Sequence, residues 1–372
     1  MSLFKKIVAG ITVAALTVSL TACGGDTSWA YKDNNATVTS GLYLYYLTQA
    51  TSQAESQVEL QDKETVFTKG KEIDGKSTTD WIKEETEKAC KQYLAVEAQF
   101  KELGLELTDE DQETIDQQVD YYYPSFDQYY MFSARGIGES SYRLSVENNI
   151  KYSKLFEKYY KAGGIEEVPE SEMKTFFQDN YAKVKVITLS KTNSSTSQAL
   201  SEEEITALKE TADGYVKRIN EDGESIDTIY TEYKASTSTD SSSTSSSSSN
   251  SELNYSFYYK EGTNMAEAVK TAIFETSEIG GPAITFEDDN AVYILQKYDH
   301  MADPADFTKY TDSVLQYMRS DDFEAKVEEW TGAVQCQTNS STLSKYTAKK
   351  LNDKVEKAKK KAAASSSLAA AS

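Results

Sequence analysis

Apolar positions recur at helical spacing through the first half of this chain and again near its end; between them the period shortens to two. Residues 29–32 and 36–38, separated by Asp33, Asn34 and Asn35, predict a small hairpin. Thr39 or Ser40 can cap a following helix that carries Leu42, Tyr45, Tyr46 and Gln49. A long helix is expected from Thr78, with Trp81, Ile82, Ala89, Tyr93, Val96 and Phe100 on one stripe, stopping at Gly104. Thr108 followed by Asp109, Glu110 and Asp111 reads as the next helix start, because carboxylates in a first turn meet the positive end of the helix dipole. Gly136 and Gly138 break the chain before a helix striped by Tyr142, Val146, Ile150, Leu155, Phe156 and Tyr159. After Gly163 and Gly164, Pro169 and Glu170 open another that carries Met173, Phe176, Phe177 and Tyr181.

At Val184 the alternation of Val184, Val186 and Thr188 with Lys185, Ile187 and Leu189 predicts a strand. Helices follow over 202–219 and 226–233. Residues 235–252 are nearly all Ser and Thr, bury too little apolar surface to offset their ordering entropy, and read as a disordered insertion. Next come a strand over 255–259, a helix over 264–274, a turn at Gly280, Gly281 and Pro282, and a strand over 291–297. This order describes a small α+β domain at 182–300, set between helical segments at 29–181 and 301–346 that should pack on each other. The later segment carries Phe307, Tyr310, Val314, Tyr317, Met318, Phe323, Val327 and Trp330 at helical spacing. Residues 347–372, rich in Lys, Ala and Ser, read as a solvated tail or as a segment that touches anionic polymer or lipid.

Ahead of all this, residues 1–22 hold Lys5, Lys6 and an apolar run from Ile7 to Leu20, too short for a membrane span and typical of an export signal. The small residues before Cys23 resemble a lipobox, so Cys23 is the expected lipidation site, with 23–28 as a tether and attachment to the outer face of the cell membrane. The formal charge is -21 over 372 residues, which repels nucleic acid and excludes it as a partner class. Cys90 and Cys336 leave two readings open, a disulfide formed after export or a buried thiol on a helix. His300 is the single histidine. With no cluster at metal-ligand spacing, neither metal nor cofactor is expected, and zinc or His-based triad chemistry is poorly supported.

The order of these signals resembles the parvulin-type foldases of the PrsA/SurA kind over almost the whole chain after Trp29. Residues 103–110 and 168–172 are similar to that family's helix starts. Residues 184–190 are similar to its first strand, 225–236 to its second helix, 278–282 to its Gly-Glu-x-Ser-x-Pro turn and 291–297 to its closing strand. The resemblance implies an α+β protein: a mainly helical, SurA-N-like chaperone domain built from N- and C-terminal segments, with an inserted parvulin-like domain of antiparallel sheet plus helices. It also implies a proline pocket lined by Met265, Val269 and Phe274, with Val269 where the family carries phenylalanine. Val186 and Tyr293 occupy the positions of the two family histidines. Met265 and Phe274 can equally be plain core residues of a domain that has lost its activity.

The functional expectation is a membrane-anchored extracytoplasmic foldase or chaperone for unfolded exported proteins, as monomer or dimer, with weak or lost prolyl isomerase activity. An active peptidyl-prolyl cis-trans isomerase and a surface lipoprotein with one fixed partner are the alternatives. Among 26 tyrosines, Tyr121, Tyr122, Tyr123, Tyr129 and Tyr130, with Phe126, cluster around Pro124 in what reads as a break between helices. Tyrosine joins a wide apolar face to a polar edge, which suits weak binding of many sequences, so these six are the candidate client site.

Overall fold

A computed structural model describes residues 28–61, 64–193, 196–237, 253–262 and 265–369, with side chains as far as 361. The expected signal, Cys23 and most of the tether fall outside these residues, as does 238–252 of the Ser-rich run. The chain divides into two compact units, one made of residues up to Tyr159 together with Asp321 onward, the other of Tyr160–Ser320. Among the described residues no helix is long and apolar enough to cross a membrane.

The first unit opens with the hairpin β1 (Trp29–Lys32) and β2 (Thr37–Thr39). Thr39 caps α1 (Ser40–Gln57) by accepting from the Leu42 amide at 3.2 Å. A short hairpin, β3 (Glu72–Ile73) and β4 (Lys76–Ser77), leads into α2 (Thr78–Glu102). Thr108 and Asp111 form a complete capping box at the start of α3 (Asp109–Tyr130), which is followed by the single turn α4 (Phe132–Arg135) and by α5 (Glu139–Tyr160). Gly41 lets α1 approach α5 closely, since a Cβ there would collide with the Ser141 side chain. One core joins Leu42, Leu44 and Leu47 of α1 to Ile82, Cys90 and Leu94 of α2 and to Ile115 and Val119 of α3.

Three features of this unit depart from the sequence reading. Pro124 does not interrupt α3, so the tyrosine cluster lies on one continuous helix and not in a break. The proline removes one backbone donor, but Tyr123 and Phe126 on either side pack into the core, and that packing holds the turn. The C-terminal segment adds a third strand, β9 (Gln337–Thr338), antiparallel to β1. After α11 (Ser340–Lys345), the expected solvated tail forms α12 (Ala348–Ala369), which buries Ala348, Leu351 and Val355. Spacings of three and four place those residues on one face. Cys90 is a buried thiol and Cys336 a half-buried one; burial pushes the Cys90 thiol well above its ordinary value.

The second unit starts with α6 (Glu170–Asn180) and runs directly into β5 (Tyr181–Ser190). Then follow α7 (Glu202–Glu221), α8 (Ile226–Thr237), β6 (Ser256–Tyr259), α9 (Glu267–Thr271) with a π turn at Ala272–Thr276, β7 (Ile284–Glu287) and β8 (Ala291–Tyr298). The first part of α10 (Pro304–Ala333) completes the unit. The fold is α+β: the four strands form one antiparallel sheet in the order β6-β5-β8-β7. Strand β5 buries apolar side chains on both faces, Ile187 and Leu189 on one and Ala182 and Val184 on the other. Ile187 and Leu189 pack with Val292 and Ile294 under α7 and α8, while Ala182 and Val184 pack with Leu295 under Ile273 of the π turn.

Several boundaries shift. Residues 235–237, read as the start of the Ser-rich insertion, are the last turn of α8. The helix expected over 264–274 is regular only from Glu267 and widens into the π turn. Strand β7 was not anticipated. The unit also takes in α6 and the start of α10, beyond the expected 182–300, because Phe177, Tyr181, Phe307 and Val314 form a shared core there.

Candidate functional site

The face of the sheet carrying Val184, Val186 and Thr188 is the one that presents the resemblance-derived residues together. Pairing sets Val186 opposite Leu295, and Ile284 opposite Leu295 on the other side, giving one apolar row across β5, β8 and β7. The next row has Thr188, Tyr293 and Phe286. Val186 and Tyr293 are therefore diagonal neighbours on one face, a separation of roughly 7–8 Å in such a ladder. Met265, Val269 and Phe274 pack half-buried against the same cluster, together with Tyr258, Ile284 and Phe286. All five positions drawn from the resemblance thus lie over one half-buried, largely apolar face of the sheet. The sequence reading missed Tyr258, Ile284 and Phe286, although Ile284-Thr285-Phe286 alternates between the Pro282 turn and Asp288-Asp289-Asn290 as a strand should.

Two polar groups are fixed on this face. The Tyr293 ring lies flat on Phe286, with centroids 4.7 Å apart and planes at 12°, and its hydroxyl donates to Asp288 Oδ2 at 3.0 Å. Burial, then the Asp288 carboxylate, raise the Tyr293 pKa, so the phenol stays a neutral donor. Lys297 Nζ donates to the carbonyl of Ile273 at 2.8 Å and of Ser277 at 3.4 Å, and lies 5.8 Å from the Phe274 ring centroid. It satisfies carbonyls at the end of the π turn and holds Phe274 at the rim; burial lowers its pKa. Both donors are engaged within the protein, and Val186 offers none. This face can meet a proline ring or another apolar side chain, and the polar groups nearest Tyr293 are the Asp288 carboxylate and the exposed Thr188; rotation of a bound amide faces a barrier of ~18–20 kcal/mol. His300 is buried beyond β8, with Nε2 3.2 Å from the Gln178 carbonyl. Among the described residues no group of three or more His, Cys, Asp or Glu could hold a metal ion.

In the first unit, the candidate client residues separate into two sets. Tyr123 donates its hydroxyl to the Ile137 carbonyl at 3.1 Å, and Phe126 packs edge-on to Phe132 and Tyr142, so these two are structural. Tyr121 and Tyr129 are 72% and 82% exposed, and Tyr122 and Tyr130 are also open to solvent. Tyr122, Phe126 and Tyr130 form a ladder at steps of four, with centroids 5.8 Å apart at each step. Phe126 therefore anchors an aromatic surface that the four tyrosines present.

No family model and no curated protein matches this chain. Solved structures of PrsA foldases do match it. The foldase protein PrsA from Streptococcus pneumoniae is 14% identical, with 74% of this chain and 98% of that one covered and a TM-score of 0.39. The foldase protein PrsA from Lactococcus lactis is 12% identical, with 86% and 99% covered and a TM-score of 0.37. PrsA from Bacillus subtilis is 16% identical, with 84% and 94% covered and a TM-score of 0.27. These three solved structures are all of PrsA proteins, and the likeness to them is one of fold.

Proposed function

We propose that this protein is an extracytoplasmic foldase that holds partly folded exported chains, tethered to the outer face of the cell membrane through a lipidated Cys23. The observation that carries this reading is the half-buried apolar face of the second unit's sheet, where Val186, Met265, Val269, Phe274 and Phe286 pack on one cluster and Tyr293 stacks on Phe286. A surface of that kind is unusual on a soluble unit without a partner. The exposed tyrosines of α3 supply a second, adaptable surface for clients. Prolyl isomerase activity is weak or lost, because Val186 and Tyr293 stand where the family carries its two histidines and the Tyr293 hydroxyl is committed to Asp288.

The test is suppression of aggregation of several denatured secreted proteins at stoichiometric amounts. Wild-type protein delays aggregation; Phe286→Ser and the pair Tyr121→Ala/Tyr129→Ala each weaken the delay, the latter without loss of stability because both rings are exposed. No delay with any client dismisses the holding role. An active isomerase is the second reading, favoured by Met265 and Phe274 lying on the same sheet face as Val186. It requires faster isomerisation of a short Xaa-Pro peptide that Phe274→Ala reduces, and a rate equal to the uncatalysed one rejects it.

A further inference from the structure

Helix α12 runs against the charge of the chain. Residues 349–361 hold seven lysines against Asp353 and Glu356, while the whole chain carries -21. Ala348, Leu351 and Val355 are buried on the first unit, and all seven lysines are exposed. Helical spacing puts Lys349, Lys357, Lys360 and Lys361 on the side away from the buried face, with Asp353 among them. Burial of the inner face therefore displays these charges on a fixed helix. Two local rules of helix stability are broken in doing so. Lys349 and Lys350 stand in the first turn, where the helix dipole favours acids and none is present. Lys350 with Lys354, and Lys357 with Lys361, set like charges four residues apart, where they repel. Sequences set such rules aside at functional sites, and a negatively charged surface laid on the helix relieves both penalties. The path of the chain indicates which surface. The Ser28 hydroxyl lies 3.3 Å from that of Thr342 on α11, the element just before α12. Cys23 stands five residues before Ser28, a reach of at most about 18 Å. The lysines spread over roughly 20 Å of helix, so a lipidated Cys23 brings the bilayer to the start of α12.

We propose that the outer face of α12 is a membrane-docking surface, which lies on anionic phospholipid headgroups beside the tether and fixes the orientation of the first unit on the bilayer. The geometry rests on the lipid-tethered reading, whereas attraction by the lysines is measurable without acyl chains, so failure of either leaves the other standing.

The test is co-sedimentation of the chain from residue 23 onward, which keeps every described residue and carries no acyl group. The vesicles are phosphatidylcholine alone, or equal parts phosphatidylcholine and phosphatidylglycerol. The proposal requires binding to the mixed vesicles only, weakened by added salt as for exposed charges. Each lysine close to such a surface strengthens binding about fivefold. Lys349→Gln, Lys357→Gln, Lys360→Gln and Lys361→Gln together therefore weaken it about a hundredfold or more, and arginine at the same four positions preserves it. The glutamine variant unfolds at the wild-type temperature or above it, because like charges have been removed from one helix. A control with glutamine at the exposed Lys76, Lys88, Lys174 and Lys217 changes the net charge equally and keeps the binding. Absence of binding, equal binding to neutral vesicles, unchanged affinity in the α12 variant or an equal loss in the control overturns the proposal. Inorganic polyphosphate that binds more tightly than the mixed vesicles at equal phosphate also overturns it, since the partner is then a phosphate polymer and not a bilayer.

Discussion

Asp227→Asn removes the charge opposite Lys185, a residue only 6% exposed on the central strand of the second unit. Lys185 Nζ lies 2.8 and 2.7 Å from the two Asp227 oxygens, and one of these also accepts from the Leu253 amide at 2.8 Å. Breaking a buried pair from one side costs about 3–5 kcal/mol, because the remaining charge stays desolvated. Two facts lower that figure here. The Asp227 side chain is 27% exposed, and Lys185 keeps the rings of Tyr255 at 4.7 Å and Tyr298 at 6.0 Å, each contact worth roughly 0.5–1 kcal/mol. The expected loss is about 2–3 kcal/mol. Trp29, Trp81 and Trp330 all belong to the first unit, so tryptophan fluorescence follows that unit, while far-UV circular dichroism in urea follows both. Asp227→Asn should lower the midpoint of the second unit and leave the fluorescence transition in place. Replacing both partners, Lys185→Met with Asp227→Leu, should recover most of the loss. Lys217→Met, which removes a surface pair whose side chains are 68% and 65% exposed, serves as control and should stay within about 0.5 kcal/mol of wild type. A loss below about 0.5 kcal/mol for Asp227→Asn would refute the argument.

Two further predictions concern other parts of the chain. Leu351→Ala should destabilise the first unit by about 2–4 kcal/mol, seen as a lower fluorescence midpoint, because Leu351 is 4% exposed in a core that a solvated tail would not reach; an unchanged midpoint would detach α12 from that core. The buried imidazole of His300, 5.3 Å from the Phe177 ring, has its pKa lowered by burial from the ordinary 6.5. Between the lowered value and 6.5 the unfolded chain binds the proton and the native one does not. His300's share of stability is therefore complete above pH 6.5 and is lost as pH falls through the lowered value. His300→Gln should flatten that decline in unfolding midpoints taken from pH 7.5 to 5, and parallel curves would count against it.

What the sequence disclosed follows from how locally each feature is encoded. The helix start at Thr108 with its first-turn carboxylates and the alternation of β5 are short patterns read within one segment, and both appear as expected. Strand β9 is two polar residues long and exists only because β1 offers it an edge, so no local pattern announces it. In α12, Leu351 and Val355 are sparse among lysines and alanines, and only packing against α1, α2 and α4 turns that side of the helix into a buried face. Pro124 signals a break by its own chemistry, but tertiary packing of Tyr123 and Phe126 overrides it. On the apolar sheet face, resemblance supplied Val186, Met265, Val269, Phe274 and Tyr293, whereas Phe286 and Ile284 join them through the register of β7 on β8.

The contact between β1 and β9, with the Tyr43 hydroxyl bonded to the Tyr346 carbonyl across 303 residues of sequence, imposes an order on assembly. Every partner needed by the second unit is present once residue 320 has emerged, while the first must wait for the final fifty or so. During synthesis or passage through a membrane, the chain would carry a finished smaller body and an aromatic-lined larger one still lacking its last strand and helix. Loss of the C-terminus would thus leave the first unit with an unpaired β1 edge and the core residues that α12 covers open to water.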